Sequence, residues 1–228
     1  MNKLFVLSGA SCVGKSTILQ RLVSERYCSL APKYSTRKPR NGLYDDILYK
    51  DKLNRDCDII YNMYNISYGI RTKDIKNKLR ENSQGIIISD VKAIKKIISI
   101  FGDDMKIICV MLLKRCIEDF VNIMFLRDGI KCNNKTRGTI MAISKALTFA
   151  YDGDNKNDIE RLNGKFKEFI EKCYKKDLFI SFWERYNSIV NSHETFEKNR
   201  DIFKYVIYND NADDAYHKCV EIVKGGEV

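Results

Sequence analysis

The chain has 228 residues, of which 44% are hydrophobic and 31% charged, with 12 Gly and 2 Pro. This composition excludes collagen-like, mucin-like and low-complexity chains, and the length is enough to bury a sizeable core. Forty Lys and Arg against 30 Asp and Glu give a net charge of +10, which favours an anionic partner such as phosphate or nucleic acid over a mere compositional bias only if a site supports it.

The first element in chain order is an apolar strand at residues 4–7, which stops at Ser8-Gly9, too early for the core of a secretory signal. A helix follows over residues 16–26, with Ile18, Leu19 and Leu22 at helical spacing. Continuous apolar runs at 86–88 and 107–113 read as strands buried on both faces, and 206–208 as a fourth. Helical spacing recurs at 72–80, 91–100, 117–125 and 213–223. Strands alternating with helices predict an α/β fold built on a doubly wound parallel sheet.

Two stretches leave that alternation. Residues 34–70 are rich in Tyr, Asn, Arg and Asp and read as short strands and loops facing a substrate. Residues 128–203 read as mostly polar helices, with Ile159, Leu162, Phe166, Phe169, Ile170 and Cys173 on one packing face. This second stretch is expected to be a large mobile cover over the C-terminal edge of the sheet. No repeat or linker divides the chain, so one compact unit with insertions is the default. The longest apolar run, 107–113, is far short of the roughly 20 residues that span a bilayer, which predicts a cytoplasmic protein with no membrane contact. The eight cysteines form no CxxC pair and read as reduced, mostly buried thiols, and two histidines are too few for a histidine metal site.

The strongest local signal is Gly9-Ala10-Ser11-Cys12-Val13-Gly14-Lys15-Ser16, a complete G-x-x-x-x-G-K-[ST] pattern between a strand and a helix. Glycines let successive N–H groups turn inward, and the following helix adds its positive dipole end, which makes a phosphate cradle. Lys15 would meet the β and γ phosphates of ATP, Ser16 would ligate Mg²⁺, and Thr17 would assist. The strand 86–88 ends in Ser89-Asp90, so Asp90 faces either the metal and acceptor or the start of the next helix as its cap.

A second cluster, Ser35-Thr36-Arg37-Lys38-Pro39-Arg40-Asn41-Gly42, displays two guanidinium groups three residues apart on a loop stiffened by Pro39. Paired arginines match a dianionic phosphate in shape and charge, which points to a phosphorylated acceptor. Tyr49 and Tyr68 follow and would bring phenolic donors to it.

These motifs resemble the guanylate kinase family of P-loop nucleoside monophosphate kinases, over the first 127 residues and again from about Phe203. The resemblance implies one domain: a core of 1–33, 85–127 and 204–228, an inserted NMP-binding subdomain at 34–84, and an enlarged helical lid at 128–203. It implies transfer of the γ-phosphoryl group of MgATP to GMP or dGMP, with Arg37, Arg40, Tyr49 and Tyr68 on the acceptor phosphate. Asp90 would lie near acceptor and metal, and Asn209 near the adenine. Arg127, before Asp128-Gly129, resembles the first lid arginine. Arg185, Arg161 and Arg137 are candidates for the second. At the two positions where the family reads guanine stand Lys33 and, near Ile59, the acid Asp58. A different phosphorylated acceptor on the same scaffold, and a non-catalytic binding module, are the competing readings. Nucleic-acid binding rests on net charge alone.

Overall fold

The computed structural model describes residues 2–38, 46–53, 57–63, 66–81 and 83–225. The chain divides into two compact units. The first comprises Met1–Gly9, Gly14–Leu112 and Glu194–Val228, the second Ala10–Val13 and Leu113–His193.

The first unit is built on a five-stranded sheet in the order β2-β7-β1-β8-β9. Its strands are β1 (Lys3–Ser8), β2 (Ser29–Leu30), β7 (Gln84–Ile88), β8 (Lys106–Leu113) and β9 (Tyr205–Tyr208). The pairs β1–β7, β1–β8 and β2–β7 are all parallel. Leu4, Phe5, Val6, Ile86, Ile87 and Val110 are at most 2% exposed, so the unbroken apolar runs follow from burial on both faces. Around the sheet stand α1 (Lys15–Ser24), α2 (Thr72–Glu81), α3 (Val91–Phe101) and α9 (Ala212–Lys224). The expected strands and helices are present here within a few residues of their predicted bounds. Short β2 is an addition: two half-buried residues carry no periodic signal.

Residues 34–70, expected as loops and short strands, form a second sheet in the order β4-β3-β6-β5. It contains β3 (Lys33–Ser35), β4 (Ile47–Tyr49), β5 (Ile59–Met63) and β6 (Ile66–Ile70). β3 pairs in parallel with β4 and antiparallel with β6, and β5 pairs antiparallel with β6. Gly69 on β6 has no side chain for a steric reason: a Cβ there would lie 2.6 Å from the Cys57 sulfur.

The second unit is helical: α4 (Ile117–Asp128), α5 (Asn134–Asp152), α6 (Lys156–Cys173) and α7 (Lys176–Val190), then the first residues of α8 (Ser192–Glu197). Its core is aromatic. Phe166 of α6 packs on Phe182 at 6.1 Å and on Tyr186 at 5.0 Å between ring centres, and Phe120 of α4 meets Phe182 at 5.4 Å. Of the apolar face expected on α6, Phe166 and Ile170 are fully buried and the rest half-buried, a packing seam as predicted. All eight cysteines are free thiols, four of them buried and four half-buried. Burial pushes Cys28, Cys109 and Cys219 up to about 12, so these thiols are inert nucleophiles. Among the described residues no helix is long and apolar enough to cross a membrane.

Candidate functional site

The turn between β1 and α1 is the first part of the candidate site. Gly9 (φ 136°) and Gly14 (φ 89°) take left-handed conformations that only glycine adopts without strain, and Cys12 joins them at φ 65°. Gly14 is the N-cap of α1 and offers no side chain to its first amides, and no acid stands in the first turn. The positive end of the α1 dipole thus meets no acid of its own first turn, which favours an anion there. Lys15 folds back over the turn, its Nζ donating to the Gly9 carbonyl at 2.8 Å. Asn209, buried at the end of β9, packs against Gly14 so closely that a Cβ there would lie 2.2 Å from its Nδ2. Sequence resemblance assigned Asn209 to the adenine. Its observed position is against the loop glycine.

The second part lies on the smaller sheet. Ser35 pairs with Tyr49 on one side and Tyr68 on the other, and Tyr68 pairs with Tyr61. Directly paired residues share a face, so Tyr49, Ser35, Tyr68 and Tyr61 form one row across four strands. Tyr61 and Tyr68 stack at 5.3 Å. Tyr49 is exposed, and its hydroxyl donates to Asp51. Arg37 follows this row, its amide held by the Ser35 hydroxyl at 3.1 Å. Pro39, Arg40 and Gly42 lie outside the described residues.

Lys33 is buried on β3, and its Nζ donates to Asp46 Oδ2 at 2.6 Å and to the Ile88 carbonyl at 3.0 Å. Burial works to raise the Asp46 carboxyl, but the Lys33 ammonium, the residue's own amide and the charge of Lys15 outweigh it and hold Asp46 below the usual carboxylate range. Asp46 was missed by sequence reasoning. A signal existed: a lysine inside a buried strand requires a carboxylate partner.

Asp90 is half-buried and its Oδ1 accepts from the Ala93 amide at 2.7 Å, so it caps α3 through one carboxylate oxygen. Burial raises its pKa, opposed by the amides of Ala93 and Lys92 and the charges of Lys92 and Lys33. Asp58, the nearest acid to the guanine-reading position, is exposed and caps α2, accepting from the Thr72 amide at 2.7 Å and its hydroxyl at 2.8 Å.

In the helical unit the candidate arginines separate. Arg185 of α7 is 7% exposed, and its Nη1 donates to the Ser11 hydroxyl at 2.7 Å. Its Nε donates to Ser181 at 3.2 Å. Arg127 is exposed, with its Nε 3.7 Å from Asp128. Burial raises the Asp128 carboxyl, while the charges of Arg127 and Arg185 pull it back. Arg161 pairs with Asp158 at 2.8 Å and Arg137 donates to Asn122 at 3.3 Å, both on the surface of the unit. The resemblance puts Arg185 and Arg161 ahead of Arg137, with Arg185 as the choice. The structure joins Arg185 to a residue of the glycine-rich turn and leaves Arg161 and Arg137 on local partners.

No protein-family model matches the chain, and no curated protein matches it. Among solved structures, it is similar to the crystal structure of guanylate kinase from Anaplasma phagocytophilum, with a TM-score of 0.54 at 10% identity over 98% of this chain and 85% of that one. The likeness is one of fold: an α/β architecture with a parallel sheet behind a glycine-rich turn.

Proposed function

We propose that the chain is an ATP-dependent nucleoside monophosphate kinase of the guanylate kinase type, moving the γ-phosphoryl group of MgATP to the phosphate of GMP or dGMP. One observation carries the reading. A single compact unit contains both the Gly14–Lys15 turn at the start of α1 and a strand row of Tyr49, Ser35 and Tyr68 beside a buried lysine. A water-hydrolysing P-loop protein needs no second site of this kind, whereas a kinase must hold a phosphorylated acceptor. The fold likeness supports the same reading.

In this arrangement residues 34–84 bind the acceptor and 128–203 act as the lid on a core of 1–33, 85–127 and 204–228. Lys15 and the turn's amides offset charge on the β and γ phosphates. Arg37 and Arg40 hold the acceptor phosphate, and the Tyr49 and Tyr68 hydroxyls orient it. Arg127 and Arg185 compensate charge on the transferring group. No general base is needed, because a phosphate monoester has a second pKa near 6 and is ionised at neutral pH. Among the described residues no three His, Cys, Asp or Glu side chains cluster as a metal site. The Ser16 hydroxyl and the Asp90 carboxylate are hard oxygen donors of the right type to hold Mg²⁺. When bound, the ion offsets negative charge on the phosphates.

Turnover of a panel of nucleoside monophosphates and sugar phosphates with ATP tests the assignment, with GMP or dGMP expected to be preferred. The engagement of Asp58 as a cap favours the second reading, a different acceptor on this scaffold, and a clear preference for a non-guanine acceptor would establish it. Absence of ATP binding in calorimetry would leave a non-catalytic module. Asp90 has its own test. Asn caps a helix as well as Asp does, so Asp90→Asn should keep the unfolding temperature while kcat falls by about tenfold or more through loss of charge. A folded variant with unchanged kcat would leave Asp90 as a cap alone.

A further inference from the structure

The Lys33–Asp46 pair raises a physical question. Lys33 is 5% exposed and Asp46 9%, and a buried ion pair is a weak source of stability: packed apolar residues of the same volume commonly serve as well or better. Charges retained at such a position call for a use. The surroundings identify one. Lys33 has three N–H donors, of which one goes to Asp46 and one to the carbonyl of Ile88, the last residue of β7. The same ammonium lies 5.5 Å from the centre of the Tyr68 ring, in the row that contains Ser35 and Tyr49. Lys33 thus ties the acceptor sheet to the strand end that continues into Ser89 and Asp90. Asp46, in turn, precedes β4, the strand that carries Tyr49.

We propose that Asp46 is a positioning residue of the acceptor site: by holding Lys33 between the end of β7 and the tyrosine row, it presents the ammonium to the monophosphate of the acceptor nucleotide. This rests on the kinase reading above. Without the carboxylate, the flexible four-carbon stem of Lys33 loses its anchor, and the ammonium moves to whatever acceptor oxygen is nearest. With it, a cation stands in fixed geometry beside the aromatic row. The charge field agrees, since Asp46 responds to Lys15 and Asp90 to Lys33.

The test uses the full chain with its best nucleoside monophosphate acceptor, GMP in the first instance. Asp46→Asn removes the charge at constant shape. The double variant Lys33→Met with Asp46→Leu removes both charges and leaves no lone buried ion, so it folds even where a single substitution does not. Both should raise the KM for GMP, and its Kd in calorimetry, by about tenfold or more, while the KM for ATP changes by less than about twofold. A folded double variant that binds GMP as the parent does would overturn the proposal, as would a parallel rise in the KM for ATP, which marks general damage. If the parent binds GMP without phosphoryl transfer, the kinase reading falls and the Kd shift still decides the role of Asp46. If it binds no nucleoside monophosphate, both fall.

Discussion

Lys15→Ala is expected to lower kcat by about 100-fold or more, the effect of removing one preorganised charge-stabilising donor from a phosphoryl-transfer site. The fold should survive. α1 is anchored by Ile18, Leu19 and Leu22, which are at most 1% exposed, so the helix is held by its apolar face rather than by the Lys15 side chain. Steady-state kinetics beside thermal unfolding separate the two effects. An unchanged kcat in the folded variant would remove Lys15 from the chemistry. Lys15→Arg adds a geometric control, because a planar guanidinium cannot replace a compact ammonium inside a tight turn.

The second large effect is on stability. Lys33→Met should destabilise the chain by about 3–5 kcal/mol in denaturant unfolding, because it strands the Asp46 carboxylate in a buried place without its partner. The pH dependence gives the sign of the cause. In the parent chain Asp46 titrates below its unfolded value of about 4, so its pairing contributes fully above that value and is lost as pH falls through the folded pKa. In the variant burial remains and the ammonium is gone, so the carboxyl titrates above its unfolded value. Its penalty is then present at neutral pH and relieved on acidification. The stability gap between parent and variant should therefore narrow as pH falls toward 4, and a gap that stays constant would show that Lys33 stabilises by packing alone.

The parts of the site that were legible in the sequence are those whose chemistry is contiguous. The turn from Gly9 to Ser16 needs only neighbouring residues, since amides, glycines and helix start all lie within one short stretch. The parallel core was equally legible, because a strand covered on both faces must be apolar throughout. The smaller sheet was not. Strands of three to five residues with half-polar faces leave a weak period, and the row of Tyr49, Ser35, Tyr68 and Tyr61 exists only once three strand pairings set its register. Asp90 shows a different limit. An acid after a strand and before a helix satisfies the patterns of metal ligand and N-cap alike, and the bond to the Ala93 amide adds the cap without deciding the other role.

The amino-acid sequence alone determined the alternating α/β plan and the anion-binding turn, because apolar periodicity and glycine placement act between near neighbours. Tertiary structure decided the partners. Asp46 reaches Lys33 through the pairing of β3 with β4, and Arg185 reaches Ser11 across 174 positions of chain, a closure that no local pattern records. The reason is physical: hydrogen bonds and ion pairs are selected by distance in space, and that distance is set by how buried surfaces pack, which depends on the whole chain at once.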